Sequence, residues 1–297
     1  MNRGVVIAVG AYVLWGLSPI YWRLVEGIPA GDVIIFRVVM TALLLSVIHL
    51  IGRTGPRIRA RFGDPRQLAV FALTATLLGT NWLVFVWAVN NERVLDASLG
   101  YFINPLVSVL LGVVVLGERL RPASTISVCV AALGVGVLAV DLGTLPWVSL
   151  LLAVTFGAYG LLRKTSSAGS LDGLTLEVFV LLPVALGFLV IRGATADGVA
   201  GISDPARDLW LIGTGLMTAT PLLLFASAAR RIELWLVGML QFIAPTLQFL
   251  LGVVVWNESW SGGQAVGFVI IWCALAIFAA EPVIRARRRP RPATVVS

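Results

Sequence analysis

Phe102 to Leu120 reads FINPLVSVLLGVVVLGERL, and Phe242 to Trp260 reads FIAPTLQFLLGVVVWNESW. Ten of the 19 positions are identical when Phe102 is set on Phe242, among them Pro105/Pro245, Gly112/Gly252 and Glu118/Glu258. The chain therefore consists of two related halves. Both copies are almost wholly apolar and lie among further apolar runs, so each half reads as a bundle of membrane-spanning helices, the structure in which hydrocarbon leaves no backbone group unpaired. Internally repeated helical membrane proteins are predominantly transporters, with the substrate held between the repeats near the bilayer midplane.

Composition leads to the same class. Hydrophobic residues make up 59% of the 297 and charged residues 12%, with a mean hydropathy of +0.96, whereas a soluble domain carries about 25% charge. The net charge of +7 does not point to nucleic acid. Of the 22 basic residues 21 are arginines, and most lie in short segments between apolar runs, where they report topology. Cys129 and Cys273 sit inside apolar runs without ligand spacing, so neither a disulfide framework nor a metal site is expected. The first apolar run contains Trp15, Pro19, Tyr21 and Trp22 and no small-x-small cleavage site, which makes it a retained span.

With about 20 apolar residues needed per crossing, ten spans are expected, at roughly 4–24, 31–51, 69–90, 95–116, 123–141, 146–163, 174–192, 209–228, 235–256 and 262–281. The fold class is thus all-α integral membrane, ten transmembrane helices as two five-helix repeats. The first repeat occupies 1–141, the second 146–281, and a basic tail 282–297, RARRRPRPATVVS after Pro282, reads as disordered and solvated. Placing both termini in the cytoplasm puts 17 basic residues inside and four (Arg23, Arg93, Arg192, Arg207) outside, with Arg37 in a span. Arg163 and Lys164 are counted among the inner loop residues. Five spans per half is odd, so the second half enters the membrane from the opposite side and the repeats are inverted.

GYFINPLVSVLLGVVVLGERL, the preceding NWLVFVWAVNNERVLDAS, and in the second half TFGAYGLLRK, LEVFVLLP, TATPLLLFASAARRI and LQFIAPTLQFLLGVVVWNE resemble the RarD-type branch of the EamA family, in the drug/metabolite transporter superfamily. The resemblance covers nearly the whole chain. It implies ten helices in two inverted repeats and transport of small metabolites or drugs across a bacterial inner membrane, with no cofactor. Phe36 stands where the branch usually has His before Arg37, which weakens a proton relay there, and Asn257 replaces the Gly expected before Glu258. The resemblance names no substrate.

Charges inside a span are costly and therefore functional candidates. Arg37 lies about two turns into the second span, and Glu177 occupies the equivalent position of the second repeat, near the other side of the membrane. Each is expected to face a central cavity at opposite mouths, Arg37 attracting an anionic group and Glu177 a cationic group or a proton; a structural charge with backbone partners is the competing reading. Pro105 and Pro245 fall near the middle of spans four and nine, where proline frees the carbonyls of Tyr101 and Gln241 and bends the helix; a kink serving packing alone is equally open. Asn104, Ser108 and Gln248 lie within a turn of these prolines. Asn81 and its repeat partner Pro221 are at mid-depth, as are Tyr12, Trp15, Phe156 and Tyr159. These residues describe an aromatic-walled pocket with a few amides, suited to a small amphiphilic molecule, though any one aromatic is more often packing.

Glu118 and Glu258 sit at helix ends, where ordering a loop suits them better than transport. Tyr21, Trp22, Trp147, Trp210, Trp235, Trp256 and Trp260 read as interfacial anchors, and His49, the sole histidine, as interfacial too. Gly134, Gly136, Gly263 and Gly267 are small-residue packing positions within one chain or, less commonly, a homodimer. Hydrolase, zincin and P-loop motifs are absent, so a non-enzymatic carrier working as an exporter is expected, with the bilayer, a small-molecule substrate and a coupling proton or other ion as partners. A channel-like facilitator and a non-transporting scaffold are the alternatives. The first wants a wetter pore than these residues supply.

Overall fold

The computed structural model describes residues 2–143, 147–193, 205–257 and 260–288. Along them run α1 (Arg3–Trp22), α2 (Ala30–Ile51), α3 (Gly55–Phe62), α4 (Pro65–Asn90), α5 (Val94–Val114), α6 (Pro122–Leu142), α7 (Trp147–Thr165), α8 (Ser170–Gly193), α9 (Pro205–Ala229), α10 (Leu234–Gln241), α11 (Ile243–Leu250), a π-helical stretch Leu251–Val255, and α12 (Gly262–Arg288). Every expected span carries helix, the ninth divided among α10, α11 and the π stretch. Nine spans among the described residues are long and apolar enough to cross a membrane; α7, which ends in Arg163, Lys164 and Thr165, is not among them. Short α3 occupies the arginine-rich connection after α2. Helix α12 continues through Pro282 to Arg288, where the sequence suggests a disordered tail, because arginine is a good helix former. Glu258 and residues 289–297 lie outside the described residues.

Local chemistry sets the helix ends. Pro65 and Pro122 occupy first-turn positions, which need no amide partner, and Asp64 caps α4 by accepting from the Arg66 and Gln67 amides. Gly117 and Asn257, equivalent positions of the two repeats, both adopt left-handed backbone, with φ of +66° and +53°. Asparagine is among the few residues besides glycine that tolerate this region, which accounts for Asn257 at a glycine position.

Helices α2, α4, α5 and α6 start at 30, 65, 94 and 122, and α8, α9, α10 and α12 start at 170, 205, 234 and 262, the same offset as between Phe102 and Phe242 in every case. Contacts between the halves come in swapped pairs. Helix α1 lies on α9 as α7 lies on α4, α2 lies on α9 as α8 lies on α4, and α5 lies on α7 as α10 and α11 lie on α1. Three contacts join counterparts: α2 with α8, α5 with α10, and α6 with α12. This is the reciprocity of an isologous interface.

Both halves contribute to the main core, which holds Tyr12, Leu45, Leu78, Tyr159, Phe225 and Val237. At the α6–α12 seam a Cβ on Gly134 would lie 2.9 Å from the Gly267 carbonyl oxygen and one on Gly267 would lie 2.6 Å from Leu138, so glycine permits the close approach within one chain. Leu110, Leu133, Val140, Val190 and Ile191 are exposed, as a lipid solvent requires. The starts of α1, α4, α6, α8 and α10 gather at one end of the bundle, called here the N-terminal end; the starts of α2, α5, α7, α9 and α12 gather at the far end.

Candidate functional site

Where α1, α7 and α9 cross, five aromatic rings meet. Trp15 lies 5.7 Å from Phe156 and 5.8 Å from both Tyr12 and Phe225, while Phe156 lies 5.6 Å from Tyr159 and 5.1 Å from Phe225. Tyr12 and Tyr159 are fully enclosed, and Trp15 and Phe156 are half-buried. Phe225 is absent from the sequence-derived set. Its one signal is the repeat, since its counterpart in the first half, Phe85, packs 6.1 Å from Tyr101.

The amides line the contacts between halves. Asn81 on α4 donates to the Leu152 carbonyl and the Thr155 hydroxyl of α7, both at 2.9 Å. Gln241 on α10 donates to Ser108 of α5 at 3.3 Å, and Gln248 on α11 donates to the Trp15 carbonyl at 3.1 Å. Asn104 is buried, and its Oδ1 has no hydrogen-bond partner among the described residues. A substrate donor can satisfy such an atom. Pro105 and Pro221 lie inside continuous helices, whereas the helix carrying Pro245 is interrupted at Phe242, just ahead of the proline.

Arg37 stands apart from the rings, toward the far end. It is half-buried, its Nε donates to Thr218 Oγ1 at 2.9 Å, and its guanidinium lies 5.0 Å and 4.7 Å from the ring centres of Trp22 and Trp82. Tyr101 is close enough to interact with its charge and is 40% exposed. Trp22 is thus a platform for a cation as well as an interfacial ring.

Glu177 does not face an open mouth, contrary to expectation. It is fully enclosed, accepts from Tyr159 Oη at 3.2 Å and lies 3.5 Å from Arg163 Nε. Arg163, expected in an inner loop, is equally buried because α7 extends past it. Its guanidinium lies 5.4 Å from the ring centre of Phe71 and donates to the Ser170 carbonyl at 3.1 Å, in space that Gly173 leaves free. His49 is likewise buried rather than interfacial, held by Thr54 at 2.6 Å and Thr175 at 2.8 Å. Trp235 packs in the α5–α6–α10–α12 core instead of anchoring at the interface.

Polar ties close the N-terminal end. The two Glu118 carboxylate oxygens accept from the amides of Leu234 and Trp235, the first of α10, at 2.8 and 2.9 Å. Lys164 lies 3.4 Å from the same carboxylate and donates to the carbonyls of Ala229 and Ile232. Asp172 accepts from Arg57 and Arg61 at 2.6 and 2.9 Å. At the far end Asp32, the repeat counterpart of Asp172, pairs with Arg192 at 3.2 Å, Tyr21 donates to the Trp210 carbonyl, and Arg23 lies 3.9 Å over Trp256. The sequence-derived residues therefore form three groups: an aromatic centre with Glu177 beneath it, amides between α5 and α10 and along α4 and α7, and Arg37 toward the far end.

Residues 2–140 match the EamA-like transporter family. An uncharacterized transporter of Pseudomonas aeruginosa is 40% identical over 292 residues, 98% of each chain. Protein RarD of Escherichia coli is 39% identical over 287 residues, 97% of each chain. A crystal structure 18% identical to this chain shares its fold, with a TM-score of 0.73 over 97% of this chain and 99% of the other.

Proposed function

Since this chain belongs to the EamA-like transporter family and is a multi-pass membrane protein, we propose that it is a secondary carrier exporting small amphiphilic metabolites or drugs across the bacterial inner membrane by alternating access. In this reading ten helices, α10 and α11 together making one, form two inverted five-helix repeats, with both termini and hence the N-terminal end in the cytoplasm. The fixed offset between helix starts and the swapped contacts support a two-fold relation, and an odd number of crossings per half turns its axis into the membrane plane. Helix α7 then spans despite Arg163, whose charge is met by Glu177.

The observation carrying this function is the arrangement at the crossing of the halves. Rings of Tyr12, Trp15, Phe156, Tyr159 and Phe225 meet where α1, α7 and α9 cross, and α5, which lies on α7, carries an unsatisfied Asn104 oxygen; rings hold an apolar body by its faces and such an oxygen takes one polar group by a hydrogen bond. Polar ties hold the halves together at both ends in this conformation, through Glu118 on α10 at one and Asp32–Arg192 at the other. A gradient of proton or other ion supplies the drive.

Counterflow of amphiphilic compounds into proteoliposomes tests the reading. Saturable exchange that is lost in Trp15→Ala and reduced in Arg37→Gln at equal protein abundance is expected, whereas linear, non-saturating flux would favour a channel-like facilitator and no flux a scaffold. Labelling of a cysteine at Ser297 by an impermeant reagent from outside the cell would overturn the topology.

A further inference from the structure

Charges enclosed by these helices come in pairs: Asp32 with Arg192, Asp96 with Arg93, Asp172 with Arg57 and Arg61, and Glu177 with Arg163. Arg37 stands outside these pairs and forms no ion pair among the described residues. Asp32, five residues earlier on α2, lies about 140° around the helix from it and gives both oxygens to Arg192. The ionisable group near enough to act on the Arg37 charge is a phenol, Tyr101. Its contacts come from α1, α4, α5 and α9, helices of both halves, so the side chain points into the bundle and not at lipid.

Those contacts leave one edge of the guanidinium unused. Thr218 takes Nε at 2.9 Å, and the rings of Trp22 and Trp82 lie 5.0 and 4.7 Å from the guanidinium carbon, while neither Nη donates to a described residue. A charge is costly in such surroundings, and a planar fork of donors matches a carboxylate. Trp82 belongs to the same buried cluster as Tyr12 and Phe225, with Trp15 and Phe156 packed against it, which joins Arg37 to the aromatic centre. We propose that Arg37 is the receptor for a carboxylate, with the Tyr101 hydroxyl as second donor, and that the substrates are organic monoanions whose apolar part lies toward the aromatic centre. A single negative charge follows from a single cation. Arg23 lies over Trp256 and Arg192 holds Asp32, so a dianion would keep one charge uncompensated. The receptor rests on the carrier reading above and adds a substrate class to it.

The test uses the full chain in lipid nanodiscs and follows fluorine NMR line broadening of para-fluorobenzoate, para-fluorobenzyl alcohol and para-fluorobenzylammonium, with empty nanodiscs subtracted. Wild type is expected to bind the benzoate on the order of tenfold more tightly than either match, the worth of a charge-assisted forked contact. Arg37→Gln brings the anion down to the level of the alcohol, Arg37→Lys restores part of the preference, and Tyr101→Phe weakens the anion alone. Because Arg37 has no carboxylate to strand, Arg37→Gln should unfold near the wild-type temperature in detergent, whereas Arg163→Gln unfolds earlier. Equal binding of the three probes by wild type overturns the receptor, as does an anion preference that persists in Arg37→Gln. Tighter binding of para-fluorophenyl phosphate than of the benzoate overturns the restriction to monoanions. If Arg37→Gln unfolds as early as Arg163→Gln, Arg37→Lys and Tyr101→Phe decide, and a preference unchanged in both overturns the receptor. Carrier and receptor fail separately: saturable counterflow of the alcohol with no preference for the anion keeps the carrier and removes the receptor, and anion binding at Arg37 with no counterflow of any probe does the reverse.

Discussion

Glu118 sets its carboxylate on two amides that follow it by 116 and 117 residues, at the start of a helix from the other half. Carboxylates are favoured at helix N-termini, where amides point outward unpaired and the helix dipole is positive. Glu118→Ala orphans two amides and leaves Lys164 with only its carbonyl partners, and should cost about 1–3 kcal/mol in detergent unfolding, with Glu118→Gln in between. Arg163 and Glu177 should behave in the opposite way to independent sites. Removing either charge strands the other, at about 3–5 kcal/mol, while Arg163→Met with Glu177→Leu should recover most of that loss. If the double variant also transports at the wild-type rate, Glu177 serves packing and not the substrate or a proton. Gly117→Ala should cost about 1–2 kcal/mol for its left-handed backbone, and Asn257→Gly nothing. At this scale the sequence was partly legible. Two glutamates closing a repeat read correctly as ordering residues for Glu118, but no local pattern shows which amides it holds. Arg163 looked like a loop residue because a charge at the end of an apolar run normally lies in water; only an enclosed Glu177 in need of a partner argued otherwise.

Among the elements, spans were legible because apolar length is a strong signal, and ends were legible wherever proline, Asp64 or a left-handed residue punctuates them. The interruption at Phe242 was harder to see. Both repeats carry the same proline, yet α5 runs through Pro105 without a break while α10 stops ahead of Pro245 and α11 passes into a π-helical stretch. Proline alone does not make the difference, since both helices carry it; the residues flanking it differ, Asn104 and Leu106 against Ala244 and Thr246, as do the helices packed around it. If the protein works by the alternating access proposed above, the broken helix is the one expected to re-form as the halves exchange arrangements. Pro245→Ala should slow counterflow several-fold while leaving abundance unchanged, and hydrogen exchange should show greater protection of the amides from Phe242 to Thr246; a rate equal to wild type would deny the hinge.

For the whole molecule, the repeat in the sequence announced two related units, and the swapped contacts show how closely they interlock. What no repeat reveals is which counterparts touch, because that depends on packing between segments far apart along the chain. Asp32–Arg192 ties α2 to α8 at the far end and His49–Thr175 ties them near the N-terminal end, where Arg57 and Arg61 of α3 hold Asp172 as well, so α2 and α8 should move as one body. Spin labels on Leu43 and Val184, exposed positions on α2 and α8, should keep one distance under conditions that change the far end, and Asp32→Asn with Asp172→Asn should broaden it. The same interlocking bears on how the protein is made. Helix α5 leaves the ribosome with Glu118 behind it, and the amides that carboxylate needs are still 116 residues from synthesis, roughly 6–23 s at about 5–20 residues per second. Through that interval the first half sits in the bilayer with its partner surfaces open to lipid and to quality-control proteases. Residues 1–143 expressed alone should be degraded quickly, and co-expression of residues 144–297 should rescue them.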